Sequence, residues 1–359
     1  MPEKIFKPES LSISRPFGNT FLLSLILFPL LLGFSEGFSR TLLVDEVMPP
    51  PSVGASNPEF EVKLAHLEQL VKRDGAVDCL IVGSSQIDGG INPVALTKAY
   101  AQRTGKTILC YNFGISTLTG EAMGVITRVL EAKYHPRLMF LGISPRDFSD
   151  QFGENSRPLL KNPWIQYMLG NDNYTGWLID HSSAYRYYLG MTNWKDPGNR
   201  VVIEEYANKI DGFGYGRLPN HHTPLVQLDE VLLKKYKFNP SDVDGFRQAL
   251  NLNGAQTRVV VIEMPVNPAF YPNYIEGGES AYHEKFTQPV SAMAEEYGVP
   301  FWQTQVEIAP QVPADGWNDR RHLNEDGAAF FSTWLGGKIA DAQMQSQIPD
   351  LTQSASPSP

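Results

Sequence analysis

The sequence predicts an α/β protein built on a doubly wound parallel sheet of five strands, with a large insertion after the third strand. Short apolar runs alternate along the chain with segments of helical periodicity, which is the pattern of parallel strands joined by crossover helices. Most of these runs lack the strict alternation of half-exposed strands, as expected where helices cover both faces of a sheet. One connection is far longer than a crossover requires.

The five predicted strands are short and rich in β-branched residues; they are residues 77–82, 107–111, 138–143, 258–264 and 299–303. The helical patterns flank them at residues 60–72, 93–104, 121–134, 280–297 and 324–342. Asn92 and Pro93 fit the N-cap and the first position of the second helix. These alternating segments define one layered α/β domain.

The long connection runs from residue 144 to residue 257, and a crossover needs only about a dozen residues. The excess predicts an insertion over about 149–257, with helical patches at 164–169 and 177–188. Because this connection leaves the carboxyl edge of a strand, where open α/β sheets bind ligands, we expect a lid or a substrate platform. An inert decoration is the alternative. Aromatic residues suited to stacking on sugar rings, or to ordinary core packing, are Tyr185, Tyr187, Tyr188 and Trp194.

The composition excludes several classes of protein. The chain of 359 residues has 30 Lys and Arg against 39 Asp and Glu, a net charge of −9, and no basic run, which argues against a nucleic-acid partner. Cys79 and Cys110 are too few for a disulfide framework and are predicted to be buried thiols. Adjacent His221 and His222 have no carboxylate at a recognised metal spacing, so no metal site and no cofactor are predicted.

An apolar, uncharged run at residues 21–34 follows Lys4, Lys7 and Arg15. This run alone spans about 21 Å, which suits a signal peptide, whereas a helix over about 17–38 can cross a membrane. We expect an uncleaved single-pass anchor in residues 1–45; a cleaved signal and a buried helix are the alternatives. The positive flank predicts that the remaining chain lies outside the cytoplasm. An uncleaved anchor would hold it at the cell membrane, and cleavage of a signal would leave it secreted or periplasmic.

Three further segments complete the predicted organisation. Residues 46–58 contain three consecutive prolines and are predicted to form a stiff linker. Residues 59–343 form the folded domain. Residues 344–359 have little to bury and are predicted to be a disordered tail.

Two short segments carry the predicted chemistry. Ser85 directly follows the first strand, at the sheet edge where helix amides can stabilise an anion, although Gly and Ser are also ordinary turn residues. Asp319 and His322 precede the last helix with a spacing that lets a carboxylate orient one imidazole nitrogen while the other faces a nucleophile. If the predicted sheet is right, both segments meet at one edge.

Four segments, in this order, resemble the sequence blocks of the SGNH, or GDSL-like, hydrolase superfamily. They are Gly83-Ser84-Ser85, with Ser84 where Asp is usual, and residues 112–116, 142–144 and 319–322. The resemblance implies a flavodoxin-like sheet with Ser85 as nucleophile, His322 as base and Asp319 as the group that orients it. It also implies an oxyanion hole from Ser85, Gly114 and Ser144. Ser144 stands where the family has Asn, and candidate helpers are Arg146 and Asp147.

The implied activity is that of a serine esterase or O-acyltransferase, in which water or a sugar hydroxyl releases the acyl group. Residues 144–148 and the anchor are similar to membrane-anchored SGNH-like proteins of bacterial envelopes, which implies an envelope or exported polysaccharide as substrate. The expected partners are an acylated glycan or another ester, and a membrane reached through the N-terminal helix. The alternative, suggested by Ser144 and the aromatic insertion, is a non-catalytic envelope protein that binds glycan in the same cleft.

Overall fold

A five-stranded parallel sheet forms the centre of the protein. The computed structural model describes residues 15–149, 156–220 and 225–351, so His221 and His222 lie outside the described residues. The strands are β1 (Cys79–Gly83), β2 (Cys110–Gly114), β3 (Leu138–Ile143), β4 (Arg258–Glu263) and β5 (Phe301–Trp302). They are parallel throughout and lie in the order β2-β1-β3-β4-β5. This order confirms the predicted flavodoxin-like, doubly wound α/β fold.

The strands are buried on both faces, as their apolar runs predict. Every residue of β1, β2 and β3 is buried. Because successive side chains point to opposite faces, Leu80 and Val82 enter one apolar core and Cys79 and Ile81 enter the other. The two cores are covered by helices on the two sides of the sheet.

The helices that precede the insertion are α1 (Arg15–Ser39), α2 (Leu42–Val47), α3 (Pro58–Asp74), α4 (Ser85–Gly90), α5 (Pro93–Thr104) and α6 (Gly120–Tyr134). Helix α5 begins as predicted, because the side chain of Asn92 accepts hydrogen bonds from the amides of Val94 and Ala95. Helix α4 is a short additional helix that starts at Ser85.

The insertion is helical and shorter than predicted. It contains α7 (Arg157–Leu160), α8 (Pro163–Met168), α9 (Tyr174–His181), α10 (Ser183–Lys195) and α11 (Pro197–Lys209). Helix α12 (Pro240–Leu250) instead packs on α6 as the crossover helix. Gly124 and Gly245 permit this packing, since a side chain on either would overlap the backbone of the other helix. The part outside the layered core therefore ends near residue 239, and not near 257.

The last helices are α13 (Gly278–Tyr282), α14 (Gln288–Glu296), α15 (Thr304–Glu307) and α16 (Glu325–Met344), with a π turn at His283–Thr287 and 3-10 turns at Pro145–Phe148, Tyr271–Asn273 and Ala309–Gln311. The chain remains packed after α16. Ile348 and Leu351 are buried, and Lys106 Nζ lies 2.9 Å from Asp350 Oδ2. The prediction of a disordered tail is therefore wrong for residues 345–351, because these apolar side chains complete one core.

Cys79 and Cys110 form a disulfide, so the prediction of two buried thiols is wrong. The two residues are the first of β1 and β2, and they are register partners with Cα atoms 4.5 Å apart. Neighbouring parallel strands therefore bring the two sulfur atoms together. The disulfide closes the amino edge of the sheet, opposite the carboxyl edge.

Residues 20–39 of α1 are long and apolar enough to cross a membrane, and the apolar side chains there are exposed. Signal sequences have the same length and composition. The linker after α1 is fixed to the domain: the amide of Ser52 donates to the carbonyl of Arg186 at 3.0 Å, and Glu61 accepts hydrogen bonds from the amides of Val53 and Ala55. Burial raises the pKa of Glu61 to about 7. The linker is thus part of the packed structure.

Candidate active site

The sheet topology places the predicted nucleophile at a reversal of strand order. β1 lies between β2 and β3, so the chain leaves β1 first toward one side of the sheet and later toward the other. Ligands of open α/β sheets bind at such a point, beyond the carboxyl ends. Gly83 and Gly142 are register partners there, and Ile87 of α4 packs where their side chains would lie. Helix α4, which begins at Ser85, therefore starts directly above the sheet edge.

Ser85, His322 and Asp319 form a continuous hydrogen-bonded chain. Ser85 Oγ lies 2.9 Å from His322 Nε2, and His322 Nδ1 lies 2.7 Å from Asp319 Oδ2. Since an ionised carboxylate only accepts hydrogen bonds, Nδ1 carries the proton and Nε2 accepts from the Ser85 hydroxyl. The two segments are 237 residues apart in sequence. The predicted sheet does bring them together, in the geometry of a nucleophile, a base and an orienting acid.

The second carboxylate oxygen of Asp319 fixes its own loop. Asp319 Oδ1 accepts from the amides of Arg321 at 2.7 Å and His322 at 2.8 Å. Partial burial acts to raise the pKa of Asp319, but the hydrogen bonds from His322 and from these two amides hold the pKa well below its usual range. Asp319 is therefore ionised at neutral pH, as its orienting position requires.

Gln86, which the sequence reasoning missed, joins the two segments. Its side-chain amide donates to the carbonyl of Arg321 at 2.9 Å. Gln86 belongs to α4, and Arg321 belongs to the loop that contains Asp319 and His322, which we call the histidine loop. Gln86 is buried, and its Oε1 has no hydrogen-bond partner among the described residues. Its position next to Ser85 is the one sequence signal that could have identified it.

The three predicted oxyanion donors differ in their hydrogen bonds. The amide of Ser85 is at the first position of α4, one of the amides that a helix leaves without an intrahelical partner. The Gly114 amide donates to Asn112 Oδ1 at 2.8 Å. The Ser144 amide and hydroxyl donate to Asp147 Oδ2 at 2.8 and 3.0 Å. In this structure, the Gly114 and Ser144 donors are thus already used inside the protein.

The two candidate helpers follow β3 in a 3-10 turn. Asp147 is buried, and its carboxylate binds Ser144 as well as the hydroxyl of Ser84; burial raises the pKa of Asp147 to about 6. Asp147 therefore holds the turns after β1 and β3 together. Arg146 is half-buried; burial lowers the pKa of its guanidinium, and the positive charge of Arg321 lowers it further.

A buried charge network joins helix α4 to α3 and α11. Asp88 of α4 contacts Lys63 Nζ at 2.6 Å and Lys209 Nζ at 3.1 Å, and it accepts a hydrogen bond from the Tyr206 hydroxyl at 3.0 Å. Burial alone would raise the pKa of Asp88, but the two lysines hold it below the usual range. Lys209 and Tyr206 belong to α11. The insertion is therefore attached to the helix that carries Ser85.

The four aromatic residues that suited either sugar stacking or ordinary core packing mostly pack within the insertion. Tyr187 is buried, Tyr185 stacks on the exposed Tyr188 at 6.0 Å, and Trp194 lies under the guanidinium of Arg200 at 5.0 Å. Within residues 15–149, 156–220 and 225–351, no group of three His, Cys, Asp or Glu side chains is arranged to hold a metal ion.

No family model and no curated protein matches the chain. Among solved structures, the chain is similar to a mutant of an acetyl-xylooligosaccharide esterase from Geobacillus, with 14% identity and a TM-score of 0.35. It is also similar to a catalytic mutant of an acetylxylan esterase from Geobacillus stearothermophilus, with 12% identity and a TM-score of 0.33. Each match covers 77% of this chain and 96% of the other. Similarity at this level does not establish a shared activity.

Proposed function

We propose that this protein is an SGNH-type serine acyl-ester hydrolase or O-acyltransferase, acting outside the cytoplasm on an envelope or exported polysaccharide. The observation that carries the proposal is the chain of two short hydrogen bonds from Ser85 through His322 to Asp319. A serine hydroxyl is a weak nucleophile until an adjacent base takes its proton, and this arrangement supplies that base.

This geometry supports acyl transfer through Ser85. His322 Nε2 accepts the proton of Ser85 as Oγ attacks the ester carbonyl, and Asp319 stabilises the imidazolium that forms. His322 then donates this proton to the leaving alcohol, which leaves an acyl group on Ser85. Water releases the acyl group in hydrolysis, and a sugar hydroxyl releases it in transfer, with His322 again acting as base.

The developing oxyanion needs hydrogen-bond donors. The amide of Ser85 supplies one, whereas the amide of Gly114 donates to Asn112, a buried side chain whose own amide donates to the carbonyls of Ile87 and Ile91 at 2.7 Å. The loss of one such donor costs about 10² to 10³ in rate. We therefore expect slow turnover of small esters.

The substrate class and the location rest on separate observations. The insertion is bound through Asp88 to α4, the helix that begins at Ser85, so it lies where it could contact an extended substrate. A polysaccharide is a ligand of suitable length. Helix α1 would hold the domain at the outer face of the membrane.

The direct test compares Ser85→Ala with Ser280→Ala. Ser280 is a suitable control because it is exposed on α13, outside both α4 and the histidine loop. We expect the wild-type protein and Ser280→Ala to release acid from an aryl acetate, and Ser85→Ala to release none above background. A fluorophosphonate should label Ser85, as identified by peptide mass spectrometry. Equal turnover by Ser85→Ala would exclude Ser85 as the nucleophile.

The hydrogen bonds already made by the Gly114 and Ser144 amides favour a second candidate, a glycan-binding protein without catalysis. In that case, no fluorophosphonate adduct forms at Ser85, and Ser85→Ala binds envelope polysaccharide as tightly as the wild type. Affinity electrophoresis in gels that contain the polysaccharide measures this binding.

A further inference from the structure

Helix α9 in the insertion carries a stripe of three aromatic side chains, Tyr174, Trp177 and His181, which we call the α9 stripe. The rings of Tyr174 and Trp177 stack with centroids 5.7 Å apart, and those of Trp177 and His181 with centroids 4.9 Å apart. Spacings of three and four residues place them on one face of the helix. Tyr174 is 77% and Trp177 is 42% exposed. Nothing in the proposed catalytic chemistry uses these residues.

The α9 stripe ends where α1 meets the folded domain. Glu36, in the last turn of α1, accepts hydrogen bonds from the Ser182 hydroxyl and the Ser183 amide, both at 2.9 Å. Arg40 Nη2 donates to the carbonyl of His181 at 3.0 Å. Helix α1 is therefore joined to the turn between α9 and α10 by charged and backbone hydrogen bonds, and the turn has a fixed position relative to the end of α1.

The exposed apolar surface of α1 needs an apolar environment. Leu, Ile and Phe side chains from residue 21 to residue 34 are between 46% and 73% exposed. In a bilayer, these residues occupy the hydrocarbon layer, and the final turn with Glu36 reaches the headgroups. The turn attached to Glu36 then lies at the headgroup level as well. Trp and Tyr favour this level because their rings combine an apolar body with a polar atom.

We propose that the α9 stripe is a membrane-contact surface that lies in the headgroup region of a phospholipid bilayer beside α1. The stripe and α1 would form two adjacent contacts with the same bilayer, and together they fix the orientation of the domain. This proposal rests on the membrane location given to α1 under the proposed function. It does not depend on Ser85 chemistry.

The stacking geometry favours a bilayer over a sugar as the occupant. Tyr174 lies one turn before Trp177 and His181 one turn after it, so each covers one face of the indole, at an interplanar angle of 23° in both pairs. A sugar ring stacks on a free aromatic face, and Trp177 already stacks with both of its neighbours in the stripe. An open groove of about 470 Å³ lies beside the stripe, lined partly by residues 170–173. Glycan binding there is the competing outcome of the test.

The experiment uses the full chain reconstituted in phosphatidylcholine vesicles, with and without brominated phosphatidylcholine, which quenches tryptophan fluorescence at close range. We expect the protein to float with the vesicles, and Trp177→Phe to lose most of the bromine-dependent quenching. Trp194→Phe is the matched control, since Trp194 lies in α10 of the same insertion, under Arg200. This control should retain the quenching of the wild type.

Two results would overturn the proposal. The first is flotation with quenching that is the same in the wild type and in Trp177→Phe; the second is failure of the full chain to float. Retardation by envelope polysaccharide that Trp177→Phe abolishes, together with unchanged quenching, would assign the stripe to a glycan instead. Ser85→Ala separates the two proposals, because it removes ester hydrolysis and leaves quenching unchanged.

Discussion

Lys63 Nζ and Asp88 Oδ1 are 2.6 Å apart and almost completely removed from solvent, and Asp88 belongs to the helix that begins at Ser85. Lys63 comes from α3, before the first strand of the sheet. The pair thus connects α3 to α4. Burial of two charges is costly, but removal of one partner costs more because the other charge remains buried.

Asp88→Asn should therefore destabilise the protein by about 3 to 5 kcal/mol, since Lys63 keeps its charge without a buried counterion. Asp341→Asn is the control, because Arg103 Nε and Asp341 Oδ1 form a 2.9 Å ion pair on the exposed surface, where pairs contribute about 1 kcal/mol or less. Urea unfolding measures both. Equal, small losses in the two variants would show that the buried pair adds no stability.

Asp319→Asn should lower the turnover of an aryl acetate by about 10⁴-fold while the fold is kept, because an amide no longer selects the histidine tautomer that accepts the serine proton. The effect should fall on kcat more than on KM. Asp315→Asn, an exposed change four residues earlier in the same loop, should leave turnover unaltered. A loss below tenfold in Asp319→Asn would contradict the assigned orienting role.

Reduction of the Cys79–Cys110 disulfide should destabilise the protein and leave the proposed esterase activity intact. The bond closes a loop with a sequence separation of 31 residues, for which chain entropy gives about 3 to 4 kcal/mol. It lies at the amino edge of the sheet, and Ser85 lies at the carboxyl edge. Thermal unfolding with and without reductant measures the change. Free thiols in peptide maps prepared without reductant would disprove the bond.

The stability of the Glu263→Gln variant should increase relative to that of the wild type as pH rises. Burial raises the pKa of Glu263 from 4.5 to about 7, so its contribution to stability is complete below pH 4.5 and is lost as pH rises through 7. The neutral amide avoids this loss, which is at most about 3 kcal/mol. The Tm of Glu263→Gln minus that of wild type should therefore increase between pH 5 and pH 8. The exposed Glu284→Gln should show no such trend.

The layered fold and the meeting of Ser85 with His322 could be predicted because local patterns determine them. Buried parallel strands produce continuous apolar runs, and residues that follow such strands must reach the same sheet edge. Asn92 capped α5 as predicted for the same reason, since a cap depends on neighbouring residues alone.

Features that depend on distant side chains could not be predicted. The disulfide requires knowledge that β1 and β2 are neighbours in register. The Lys63–Asp88 pair and the Gly114–Asn112 hydrogen bond depend on rotamers and on helix positions, which no spacing in the sequence specifies. The sequence pattern does not separate helix α12 from the insertion, because its role as the crossover helix depends on its contact with α6.

The fixed linker has a consequence for how the protein would meet its substrate. Ser52, Val53 and Ala55 are held by Arg186 and Glu61, so the domain cannot swing on its anchor as it would on a flexible tether. With α1 in a bilayer, Ser85 would stay at one height above the lipid. Under the proposed function, polymer chains would be modified only as they pass through that layer, and lateral diffusion of the protein would set the area that it samples.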